Sequence, residues 1–117
     1  MRNYKELKIW QHSHQFVLDI YKATEKFPKT EVYGLTSQIR RAAISISSNI
    51  VEGSGRKTNP DFLKFLQISI SSAYEVEYHL LLSKDLNFLS ADQFTKLSAD
   101  LESIIKMISS FIKNTEK

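Results

Sequence analysis

The stretch QIRRAAISISSNIVEGSGRK, Gln38 to Lys57, decides the fold. Its centre admits two readings. AISIS alternates apolar and small polar residues as a half-buried strand does, while Ile39, Ala42, Ala43, Ile46, Ile50 and Gly53 recur at helical spacing. The alternation fails at Ser47-Ser48, whereas a rotation of about 100° per residue keeps the helical set on one face over four turns. The stretch reads as a helix. Its β-branched isoleucines lower local propensity, so the helix depends on packing against neighbours.

Working outward, three more helical segments appear. The first spans about 4–27, with Leu7, Trp10, Val17, Ile20 and Tyr21 at helical spacing, Phe27 closing the segment and Pro28 stopping it. The second, about 34–52, contains the opening stretch. GSGRKTN then connects to Asn59-Pro60-Asp61, which reads as a side-chain cap, a first-turn proline and an acid against the helix dipole. The third helix, about 60–86, places Phe62, Phe65, Leu66, Ser69, Ala73, Val76 and Leu80 on one face. Ser90-Ala91-Asp92-Gln93 is a capping box for the fourth, about 91–112, in which Phe94, Leu97, Leu101, Ile104, Ile108 and Phe111 alternate spacings of three and four. The polar tail after Ile112 is expected to fray. Four amphipathic helices with short connections predict one all-α domain over residues 1–117, an antiparallel up-down-up-down four-helix bundle.

Composition fits that domain. The 117 residues are 42% hydrophobic and 25% charged, with no cysteine, which excludes disulfides and thiolate metal sites. MRNYKELKIW lacks the apolar block of a secretory signal, and no apolar run exceeds LLL at Leu80 to Leu82, so neither export nor a membrane span is expected. A cytoplasmic location is the default. The net charge of +3 is uneven: residues 1–57 carry ten Lys/Arg against five Asp/Glu, residues 58–117 six against eight. A modestly basic half attracts nucleic acid or acidic partners without selecting between them.

The second and third helices carry more apolar surface than one core needs. Ile44 and Val51 lie about 100° from the core face, beside Arg40. Leu63, Ile70, Tyr74 and Leu81 form a second line about 80–120° from theirs. Such lines are either the edge of a broad core face or a subunit interface, and their length, uncommon on the surface of a monomer, points to an interface. Glu77 sits beside the second line; buried, it would need a cation, with Arg40 or Arg41 as candidates, within the chain or across an interface.

Catalytic and metal chemistry find little support. Gly53-Ser54-Gly55-Arg56-Lys57 has neither the spacing nor the preceding strand of a phosphate loop, and reads as a connector with basic residues near a helix C-terminus. His12 and His14 point different ways; Glu75 and His79 are one turn apart, but two ligands make a weak metal site. Ser45, Ser47 and Ser48 lack a base on their face and suit close helix approach or bonding to carbonyls. No enzyme activity, cofactor, metal or small-molecule substrate is expected. Arg40, Arg41, Arg56 and Lys57 are the candidate phosphate contacts. Arg41 shares a polar strip with Ser45, Ser48 and Glu52, where ion pairs and hydrogen bonds serve structure equally well.

Phe27-Pro28, Glu31, YGLTSQIRRA from Tyr33 to Ala42, Ser45-Ile46, Asn49-Ile50, Glu52-Gly53 and Arg56 together resemble a bacterial family of four-helix-bundle proteins, those related to proteins encoded within intervening sequences of 23S ribosomal RNA genes. Trp10, Tyr21, Phe65-Leu66, Ser72, Glu75 and Glu77 extend the likeness over nearly the whole chain. Two residues depart from the pattern: Ser47 stands where the family often has proline, and Val51 where it often has alanine. The resemblance implies an antiparallel bundle that assembles in several relatives as a ring-like homopentamer, with a poorly defined function. Some relatives were named ribosomal proteins, and the accessory protein of diversity-generating retroelements is similar in fold and binds nucleic acid through a basic surface. The expectation is therefore a non-enzymatic homo-oligomer that binds nucleic acid, RNA above all, through Arg40, Arg41, Arg56 and Lys57, with Ile44, Val51, Leu63, Ile70, Tyr74 and Leu81 at the oligomer interface. The alternative is a protein-interaction scaffold whose arginines are structural. No membrane partner is expected in either case.

Overall fold

The third and fourth helices begin where a side chain, Thr58 for one and Ser90 for the other, accepts from an orphan backbone amide. The structure, a computed structural model, describes residues 2–116. These form α1 (Lys8–Thr24), α2 (Leu35–Ser54), α3 (Asn59–Asp85) and α4 (Ala91–Glu116), with one-turn 3-10 helices at Tyr4–Glu6 and Lys29–Glu31, and no strand among the described residues.

The first helix is shorter than its apolar spacing suggests. Asn3 accepts a side-chain bond from the Lys5 amide and opens a separate turn, Leu7 is extended (φ −78°, ψ 123°), and α1 begins after it. At the other end α1 stops at Thr24, short of Phe27-Pro28, where the residue before proline is disfavoured in the helical region. Phe27 instead turns inward, buried, with its ring 5.5 Å from that of Phe88. The side chains facing the core in α1 are Ile9, Ser13, Phe16, Val17, Ile20 and Thr24, while Trp10 is half-buried and Tyr21 exposed.

The α2–α3 turn also shifts. Thr58, not Asn59, caps α3, its Oγ1 accepting from the Asp61 amide at 3.3 Å, and Asn59 and Pro60 fill the first helical turn. The α3 C-terminus is a Schellman motif: Asn87 is left-handed (φ 64°), its amide donates to Lys84 O, and the Phe88 amide donates to Ser83 O at 2.8 Å. The Ser90–Gln93 capping box forms as expected, with reciprocal bonds of 3.0 and 3.1 Å. The expected fraying after Ile112 is absent: α4 stays helical to Glu116, anchored by buried Ile112 and by Phe111 edge-on to Phe62, ring centroids 5.7 Å apart.

Packing follows the small residues. Gly53 lies inside α2 where a methyl would stand 2.7 Å from Phe65 Cβ and 2.9 Å from Phe62 Cδ1, so glycine permits the close α2–α3 approach. Ser69 donates to Ile46 O at 2.8 Å across the same seam, and the Ser45 and Ser72 hydroxyls meet at 2.8 Å. These cross-contacts run antiparallel, as do Phe62 with Phe111 and Lys84 with Phe94 between α3 and α4. The result is the antiparallel bundle. Ile39, Ala42, Ala43, Ile46 and Ile50 of α2 are all buried in its core, with Leu66, Ala73, Val76 and Leu80 of α3 and Leu101, Ile104 and Ile108 of α4.

Candidate nucleic-acid interface and apolar faces

The basic residues occupy two separate places on the bundle. Arg40 and Arg41 lie near the start of α2; Arg56 and Lys57 lie beyond its end, about 20 Å away at 1.5 Å rise per residue. The four candidates do not form one cluster.

Arg40 is committed inside the chain. Its Nε donates to Thr24 Oγ1 at 2.8 Å, its Nη2 donates to Tyr21 O at 3.3 Å, and its guanidinium lies 4.4 Å over the Tyr21 ring. A cation that satisfies a C-terminal carbonyl and faces the negative end of α1 is a helix-terminating device, which ties α2 to α1. Arg41 is exposed and makes no ion pair or hydrogen bond among the described residues. Within the polar strip, Ser45 belongs to the α2–α3 seam, accepting from Asn49 Nδ2 at 3.0 Å as well as meeting Ser72. Ser47 donates back to Ile44 O at 3.1 Å, as its lack of a catalytic base suggests.

The connector end is more open. Arg56 lies 4.5 Å over the Phe65 ring, and Arg2 lies 4.2 Å over the Phe62 ring beside it. Arg2 also donates to Arg56 O at 3.2 Å and to Asn59 Oδ1, and its amide reaches Ser54 O, so the N-terminal segment is strapped across the connector. Lys57 is exposed next to Thr58, the cap of α3, whose hydroxyl and carbonyl already accept from the Asp61 and Phe62 amides. Three cations therefore gather beside the start of α3, where their side-chain charge suits phosphate oxygens. Glu52 and Asp61 are exposed nearby and moderate the field. Arg2 escapes sequence reading because it joins the connector from 54 residues away, with no local pattern to mark it.

His79 and Glu75 approach at 3.6 Å, with His79 buried and its Nδ1 without a protein partner. Burial lowers the His79 pKa from 6.5 against the raising influence of Glu75. No group of three His, Asp or Glu suited to a metal occurs among the described residues. No helix there is long and apolar enough to cross a membrane.

The candidate interface lines divide. Leu63 and Ile70 are half-buried and pack on the core, and Val51 is half-buried, whereas Ile44 (39%), Tyr74 (55%) and Leu81 (43%) are exposed. Ser45 faces α3 and Ser72 faces α2, so Tyr74, two residues past Ser72, projects about 200° away from α2. Ile44 flanks Arg40 on the α1 side. The two lines thus lie on opposite faces of the bundle. Leu18 and Tyr21 extend the first face and Tyr78 the second; none was marked by the sequence as surface.

Residues 5–110 match the model of the 23S rRNA-intervening sequence protein family. The fold is similar to the crystal structure of a protein of unknown function from the S23 ribosomal protein family of Bacteroides thetaiotaomicron, with TM-score 0.82 and 26% identity over 90% of this chain and 95% of that one. No curated protein matches the sequence. The chain, with these residues and this bundle, belongs to the 23S rRNA-intervening sequence protein family.

Proposed function

We propose that this protein is a non-enzymatic, self-associating bundle that binds RNA through backbone phosphates at its connector end. The observation that carries the RNA reading is the trio Arg2, Arg56 and Lys57 around the N-terminus of α3, with both guanidinium groups oriented by stacking on Phe62 and Phe65. Stacking fixes the planar groups while leaving N–H donors for phosphate, and the family's link to 23S rRNA makes RNA the first polyanion to try. Base-specific reading is not part of the proposal, because the two rings beneath the arginines are already occupied. Filter binding of single-stranded and duplex RNA across a salt series tests it. Affinity should fall steeply as salt rises; no binding at low salt, or binding indifferent to salt, refutes the phosphate model.

Self-association is supported by the two apolar faces. Because they lie on opposite sides, contact between copies is head-to-tail rather than two-fold, and such contacts close into rings when the rotation permits. The family resemblance implies a pentamer, which light scattering checks directly. The second reading, a protein-interaction scaffold, is favoured by one observation: Arg40 serves the α1–α2 junction and not the solvent. A protein that assembles but shows no salt-dependent RNA affinity would select the scaffold.

A further inference from the structure

Two oppositely charged side chains sit on the opposite apolar faces without partners among the described residues. Glu77 is exposed between Tyr74 and Leu81, one helical turn from each, so the α3 face carries a carboxylate within its apolar line. Arg41 is exposed one turn before Ile44 at the edge of the α2 face. Neither makes an ion pair or hydrogen bond among the described residues, and Arg40, the other cation considered for Glu77, is taken by Thr24 and Tyr21.

The antiparallel register fixes their heights. Ser45 meets Ser72, Ile46 meets Ser69 and Gly53 abuts Phe65, so residues 41 and 77 lie at one level along the bundle, and residues 44 and 74 at another. A rotation about an axis parallel to the bundle preserves both the direction and the height of every helix. Under that operation α2 of one copy meets α3 of the next antiparallel and without stagger. Ile44 then comes against Tyr74 at the same time as Arg41 comes against Glu77. A carboxylate covered by an apolar partner surface must be paired, and the partner copy delivers its cation at the required height.

From this we infer that a second copy of the chain docks its α2 face on the α3 face of the first, with Arg41 of one protomer paired to Glu77 of its neighbour and Ile44 packed on Tyr74. The inference rests on the self-association reading and specifies its contact. It also separates Arg41 from the phosphate contacts, since its guanidinium is consumed between protomers.

Charge exchange tests the pair. Sedimentation velocity is run on wild type, Arg41→Glu, Glu77→Arg and the double exchange, with circular dichroism melts to show that each variant keeps its helices. The expected result is that each single exchange dissociates the assembly by at least tenfold in Kd and the double exchange restores it. Folded single variants that remain assembled, or a folded double variant that stays dissociated, overturn the pairing while leaving self-association standing. A monomeric wild type overturns both. A second variant is independent of charge: the chain has no cysteine, so Ile44→Cys with Tyr74→Cys in one chain places the only two thiols on opposite faces. Mild oxidation should give a ladder of cross-linked protomers on a non-reducing gel. An assembled protein that yields no ladder refutes the proposed contact.

Discussion

Replacing Gly53 with alanine isolates the close approach on which the α2–α3 seam depends. Two effects oppose each other. Gly53 is helical, so alanine should gain about 1 kcal/mol of helix propensity. The added methyl, however, would stand 2.7 Å from Phe65 Cβ, 2.9 Å from Phe62 Cδ1 and 3.2 Å from Phe62 O. Phe65 Cβ is fixed to its backbone, so relief requires α3 itself to move, and overpacking of that kind costs typically 1–3 kcal/mol. A clash against a backbone-anchored atom belongs to the upper part of that range, about 2–3 kcal/mol, so it is expected to win by about 1–2 kcal/mol, with a fall in melting temperature of roughly 4–8 °C for a domain of this size. Gly55 is the internal control: its φ is −84°, and a methyl there meets nothing nearer than Glu52 O at 3.6 Å. Gly55→Ala should be neutral or stabilising by up to about 1 kcal/mol. Urea titrations of both variants, with the slope checked for constancy, give the comparison. A Gly53→Ala protein as stable as wild type or more so would refute the reasoning.

Other consequences follow from the same contacts. Arg40→Ala removes two hydrogen bonds and the cover of the Tyr21 ring, for an expected loss of about 1–2 kcal/mol, while RNA affinity stays within twofold of wild type; denaturation and filter binding on one preparation check both. His79 makes stability depend on pH. Above about 6.5 it is neutral in both states; as pH falls below that value the unfolded chain takes up a proton before the folded one, because burial has lowered the folded pKa, and stability falls until folded His79 protonates too. Melts between pH 7.5 and 5.5 should therefore show a larger loss for wild type than for His79→Leu, and equal losses would exclude His79 as the cause.

The fold was legible because period and punctuation agreed. The α2 face, the Ser90–Gln93 box and the seam of α4 each pair a helical repeat with a local terminator, and the bundle reproduces them. Boundaries failed where a tertiary or steric effect overrode the repeat. Leu7 kept helical spacing yet sits in an extended link, and α1 ends at Thr24, four residues before Pro28. The cap at Thr58 displaced the one expected at Asn59, whose side chain is bound by Arg2.

The candidate site was less legible because cations adjacent in sequence diverge in space. Arg40 and Arg41 are neighbours, but 100° of helix rotation sends one into the α1 junction and leaves the other in solvent. Arg2 and Arg56 are brought together by the return of the chain to one end of the bundle, which no spacing rule encodes. Exposed apolar residues on α1 were missed for a related reason: Tyr21 has core-like spacing and becomes surface once Phe16 and Ile20 claim the interior.

The claim that phosphate binding resides at the connector end is tested most directly by the salt dependence of RNA affinity in a variant lacking Arg56 and Lys57. For single-stranded RNA each lost phosphate contact should flatten the slope of log affinity against log salt by about 0.7, so Arg56→Ala with Lys57→Ala should reduce it by about 1.4 and weaken binding at every salt concentration. Wild type and Arg40→Ala should share the steeper slope. A double variant whose slope and affinity match wild type would contradict the assignment.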